Sequence, residues 1–139
     1  MGKFQYRKKK YKKAAAWLKK VDLYDLSNDE LAEYYFKLGY SYFMIDSTGK
    51  AGKAFYEIKD SDTKYAVPSQ YYFSHIAYTN KNYETALQGF LKLTSNDIFA
   101  PLVPYYITQI YYMQNKYDKV IEYAPKLLDS ATSKRFPEI

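Results

Sequence analysis

The chain has 139 residues, a hydrophobic share of 47%, a net charge of +6, one His and no Cys. That length fits one compact unit or a short stack of repeats. Lack of Cys excludes disulfides, thiolate metal sites and Cys nucleophiles, and no apolar run approaches the ~20 residues of a membrane span.

The charge is uneven. Residues 1–20 carry Lys3, Arg7, Lys8, Lys9, Lys10, Lys12, Lys13, Lys19 and Lys20 and no acid, which leaves 12 basic against 15 acidic residues in the rest. A basic stretch attracts nucleic acid or anionic lipid by counterion release; the alternative is a solvated helix face. No signal-peptide apolar core follows Met1, and any targeting segment outside this sequence is left open. The chain reads as soluble, with cytoplasm and bacterial periplasm both open. Its 19 Tyr and 8 Phe stand out. Tyr buries ring area while keeping a hydroxyl for water or a partner, which suits half-buried walls.

In chain order, residues 1–21 read as a helix, with Tyr11, Ala14, Ala15, Leu18 and Val21 at three- and four-residue spacing. Trp17 falls off that stripe, as a cover for an open end or the trace of a packed neighbour. Ser27 and Glu30 form a capping box that starts a helix running to about Ile45. Asp46-Ser47-Thr48-Gly49 turns into a second helix with Ala51, Phe55 and Ile58. The next pair opens at Val67-Pro68-Ser69, Pro being tolerated in a first turn. It turns at Asn80-Lys81-Asn82 and returns over Tyr83 to about Thr94. A third pair runs from Pro101 and Pro104 through Tyr105 to Met113, turns at Gln114-Asn115-Lys116 and returns over Tyr117 to Leu128. Pro125 lies inside that last helix, where it bends or breaks it.

The segment Tyr83–Leu93 recurs 34 residues on as Tyr117–Leu127, and 35 residues back as Thr48–Ile58. A period of this size marks stacked helical repeats. On these residues the chain resembles the tetratricopeptide repeat, whose signature is Trp-x2-Leu-Gly-x2-Tyr, Ala-x3-Phe and a closing Pro. The first copy has Tyr35-x2-Leu38-Gly39-x2-Tyr42 and Ala51-x3-Phe55. The second has Phe73-Ser74-x2-Ala77 and Ala86-x3-Phe90. The third has Ile107-Thr108-x2-Tyr111 and Val120-x3-Ala124. No copy has the closing Pro. Small Gly39, Ser74 and Thr108 are expected to meet Ala51, Ala86 and Val120, with the large residues filling the remaining space.

The resemblance implies an all-α, right-handed α-α superhelix forming one domain over 1–139. It divides into a leading basic partial repeat (1–30), repeats at 31–66, 67–100 and 101–134, and the start of a further repeat at 135–139. The chain reads as a piece of a longer array. It is expected to be a non-enzymatic protein-interaction scaffold. The implied concave groove is read in columns: Phe36, Tyr71, Tyr105; Tyr40, His75, Gln109; Phe43, Tyr78, Tyr112; flanked by Lys37, Tyr72, Tyr106. These nine column residues are the candidate site for a peptide or protein partner, the alternative being that the rings only pack between repeats. Relatives that grip acidic chaperone C-termini place Lys, Asn and Arg in such columns. Here Phe36, Tyr40, Tyr71, Tyr72 and Tyr106 stand there, so no carboxylate clamp is expected. The runner-up function is a basic arm over 3–20 touching RNA or anionic membrane. Self-association through open solenoid ends is a further reading, and nucleic acid is otherwise not expected as a partner.

Catalytic chemistry finds no support. A lone His75 without Cys argues against zinc. Thr48-Gly49-Lys50-Ala51-Gly52-Lys53 lacks phosphate-loop spacing and a preceding strand. Asp60-Ser61-Asp62 lacks the Gly and distal Glu of a calcium loop. Asp29/Glu30 and Asp118/Glu122 read as exposed helix acids. No cofactor or metal is implied.

Overall fold

In the computed structural model the backbone is described for residues 2–24 and 26–132, and side chains for 10–24 and 26–127. Within these the chain is all-α, with helices α1 (Gly2–Leu18), α2 (Asn28–Met44), α3 (Thr48–Ile58), α4 (Ala66–Thr79), α5 (Tyr83–Leu91), α6 (Val103–Met113) and α7 (Tyr117–Thr132). The residues expected to begin a further repeat at 135–139 lie outside the described ones, as do the side chains of the first four basic residues. Two compact units form, Met1–Phe73 and Ser74–Ile139, and the division falls within α4. In the first, α2 packs on both α1 and α3; in the second, α6 packs on both α5 and α7.

Local chemistry sets the helix ends. The Ser27 amide donates to Glu30 Oε1 at 2.9 Å and the Glu30 amide to Ser27 Oγ at 3.2 Å, the expected capping box. The turns between α2 and α3, α4 and α5, and α6 and α7 share one design. Asp46, Lys81 and Asn115 adopt φ of 65°, 65° and 61°. The amides of Ser47, Asn82 and Lys116 each donate at 2.8 Å to the carbonyls of Tyr42, Ala77 and Tyr111, five residues back. The left-handed residues donate to Phe43, Tyr78 and Tyr112 at 3.0–3.1 Å. Together these are Schellman motifs, which satisfy the last carbonyls of one helix and reverse the chain within three residues. None uses Gly. Asn and Asp tolerate the left-handed region through their short polar side chains, whereas Lys81 has no such compensation.

The core follows the small/large pattern. Ala51, Phe55, Ala86, Phe90 and Ile107 are 0% exposed, with Leu38, Tyr42, Ile58, Leu93 and Tyr111 also buried. Gly39 faces the Phe55 ring: a Cβ there would lie 2.8 Å from Cε1 and 3.0 Å from Cδ1 and Cζ. Glycine permits that close approach.

Two differences from the sequence reading appear. Helix α5 stops at Leu91; Thr94 Oγ1 donates to the Leu91 carbonyl at 2.9 Å, and Asn96 Oδ1 then accepts from the Ile98 and Phe99 amides at 2.9 and 3.0 Å. These short-range bonds offer the backbone an alternative to another helical turn. In α7, Tyr123 is buried and its ring meets Tyr111 at 5.8 Å, while Ala124 is exposed. The inward stripe is thus Val120, Tyr123 and Leu127, and Ala124 does not take the place of Phe90. A Tyr one residue earlier supplies the area that Ala lacks. The helix continues through Pro125, which is exposed and does not end it.

Candidate functional site

In the first unit the aromatic side chains converge on Tyr72. Its ring lies 5.8 Å from Tyr40, 5.2 Å from Phe43, 5.5 Å from Tyr71 and 5.5 Å from Phe55, stacked on the last at 18°. Phe36 joins through Phe55 at 5.8 Å, Tyr65 at 5.5 Å and Tyr40 at 6.2 Å.

The second unit repeats this around Tyr106. That ring lies 5.8 Å from His75, 5.2 Å from Tyr78, 5.6 Å from Tyr105 and 4.6 Å from Phe90, stacked at 11°. Tyr106 stands 34 residues after Tyr72, and its four neighbours stand 34 or 35 residues after those of Tyr72. The repeat is therefore a repeat of contacts. Tyr72 and Tyr106, read from sequence as part of a flanking groove column, are half-buried and stack on the core rings Phe55 and Phe90.

The nine predicted groove residues divide accordingly. Phe36, Tyr40, Phe43 and Tyr71 are half-buried in the first cluster, and His75 and Tyr78 are half-buried in the second. Tyr105 and Tyr112 are exposed, at 52% and 56%, with Tyr112 edge-on to Tyr117 at 5.8 Å. Gln109 is half-buried. The rings are uncharged. Burial raises the Tyr72 and Tyr78 hydroxyls above the ordinary phenol value and lowers the His75 imidazole, so the neutral forms prevail near pH 7.

One concave feature lies wholly within the first unit. Helices α1 and α2 enclose an open groove of about 570 Å³, lined almost entirely by apolar atoms. Helix α1 contributes Tyr11, Ala14, Trp17 and Leu18, and α2 contributes Phe36 and Tyr40. Tyr11 meets Tyr40 edge-on at 5.7 Å, and Ala15, 3% exposed, lies in the same turn of α1 as Ala14. Trp17 is 73% exposed on the groove wall. Lys10, Lys13 and Lys37 stand among its lining residues, with Lys37 paired to Glu33 at 2.6 Å. No acid lines it. Phe36 and Tyr40 were read from sequence as groove residues, but the α1 wall was not. Its signal was the Tyr11-Ala14-Leu18 stripe with Trp17 just off it, which places an apolar ring beside a packing seam.

A second depression, of about 530 Å³, is polar, with Asp29, Glu30, Glu33 and Asp62 beside Lys64. Among the described residues no three His, Cys, Asp or Glu are placed to hold a metal ion, and no helix is long and apolar enough to cross a membrane. No protein-family model, curated protein or solved structure matches the chain.

Proposed function

We propose that this chain is a non-enzymatic protein-interaction scaffold of the tetratricopeptide kind, which holds a peptide segment against aromatic side chains. The observation that carries this reading is the apolar groove between α1 and α2, with Trp17 largely exposed on its wall. Its volume lies in the range of sites that bury most of a bound ligand. Exposed Tyr, Trp and Met are enriched at recognition surfaces because they bury much area at modest entropic cost; the second unit, taken by itself, exposes Tyr105, Tyr112 and Met113 of α6, each by more than half. The period and the paired ring clusters support the tetratricopeptide reading.

Peptide display against the whole chain tests it. Enriched peptides should bind the purified protein in the micromolar range. Binding should weaken at least tenfold with Trp17→Ala. Failure to enrich any peptide would count against the scaffold. The basic-arm reading is separable because α1 does two jobs: neutralising Arg7, Lys8 and Lys9 to Gln leaves the groove residues in place. If those changes abolish salt-sensitive RNA or vesicle binding while no peptide binds, the arm is the functional part.

A further inference from the structure

The α1–α2 groove pairs an apolar floor with a basic edge on α1. Lys10 and Lys13 lie one turn apart on α1; Lys37 of α2 also lines the groove, with its charge shared with Glu33 at 2.6 Å. Beyond the groove, α1 and the turn after it add Lys12, Lys19 and Lys20, all exposed, with no acid in residues 1–20. Around an apolar slot such charge selects for acidic flanks on whatever enters, because like charges at a rim are repelled and opposite ones steer encounter. From this we infer that the groove is a docking site for an acidic amphipathic helix of a protein partner: apolar anchors enter between Tyr11, Leu18, Trp17 and Phe36, and Asp or Glu side chains meet the lysines. The inference rests on the scaffold reading and names its partner class.

The geometry favours a helix over the other polyanions. A slot walled by two helices matches anchors at i, i+3, i+4 and i+7 of an incoming helix. Single-stranded nucleic acid needs exposed ring faces in series for base stacking. Here Tyr11 and Tyr40 meet edge to face at 79°, and of the groove aromatics only Trp17 is largely exposed. A bilayer surface presents no anchor shaped to enter a concavity.

Trp17 is the one tryptophan of the chain, so its emission reports this site alone. The probes are three tryptophan-free, C-terminally amidated 16-residue helical peptides with Leu and Phe at i, i+3, i+4 and i+7. Their remaining positions are Glu-rich, Lys-rich or Gln-rich. A 12-mer single-stranded RNA and phosphatidylserine vesicles complete the series. The Glu-rich peptide should shift Trp17 emission to the blue, saturably, and bind at least tenfold tighter than the Lys-rich one. Lys10→Glu plus Lys13→Glu should reverse that preference, which a mere folding defect does not do.

Equal binding of the three peptides would overturn the charge selection. Tighter binding of RNA or vesicles would overturn the partner class. Peptide binding that leaves Trp17 unmoved and survives the charge reversal, yet falls with Tyr105→Ser, would overturn this site while the scaffold reading stands. If no peptide binds, both fall. Emission that shifts with protein concentration alone would assign the groove to a second copy of this chain and overturn the inference.

Discussion

Gly39→Ala is the sharpest probe of the repeat packing. In an exposed helix interior this change stabilises by about 1 kcal/mol, since Ala is the better helix former. Here the new methyl would stand 2.8 Å from Phe55 Cε1 and 3.0 Å from Cδ1 and Cζ, inside van der Waals contact. The ring has little room to retreat. It is 0% exposed, stacked on Tyr72 at 5.5 Å and set against Phe36 at 5.8 Å. Overpacking of this kind costs about 1–3 kcal/mol. Set against the propensity gain, the net loss should reach up to about 2 kcal/mol, a fall in Tm of up to roughly 7 °C for a chain of this size. Thermal melts of four proteins test the cause. In a Phe55→Leu background, Cε1 and Cζ are gone, and Gly39→Ala should be at least ~1 kcal/mol less harmful, a coupling well above the ~0.5 kcal/mol scatter of independent sites. Gly49→Ala is the control: no atom lies within 4 Å of a Cβ there, and it should stabilise by up to ~1 kcal/mol. A Gly39→Ala protein more stable than the parent, or a double mutant with no coupling, would refute the close-approach account.

Phe90→Ala removes a ring that is 0% exposed and stacked on Tyr106, and should cost about 3–5 kcal/mol by urea titration; a loss under ~1 kcal/mol would take Phe90 out of the core. Lys81→Gly relieves a left-handed residue at φ 65° and should raise the urea midpoint by about 0.5–1 kcal/mol equivalent, the conformational penalty exceeding the extra chain entropy of Gly; a lower midpoint would contradict the Schellman geometry. Burial lowers the His75 pKa, so the unfolded chain binds this proton more readily than the folded one. Stability should therefore fall as pH drops below the unfolded value near 6.5 toward the lower folded one, and His75→Phe should flatten stability between pH 7 and 5.5. As His75 is the only His, a slope that persists in that variant would disprove the assignment.

Much of the architecture was legible in the sequence because it is written in local terms. The 34–35-residue period, the Ser27–Glu30 capping box and the turns at Asp46, Lys81 and Asn115 depend on neighbours within a few positions, where propensity and hydrogen-bond spacing act. The small/large pattern also identified Phe55 and Phe90 as core, because helical periodicity fixes which face is inward. Tertiary structure decided what depends on contact between helices. It made Tyr72 and Tyr106 stacking partners of core rings, since a side chain's direction across a helix pair is set by the facing surface and not by its own spacing. It moved the inward position of α7 from Ala124 to Tyr123, where Tyr111 offered a ring to pack against. It also made Trp17, an off-stripe residue in sequence, the exposed wall of a groove. That concavity is walled by residues of both α1 and α2, so no single helix's pattern encodes it.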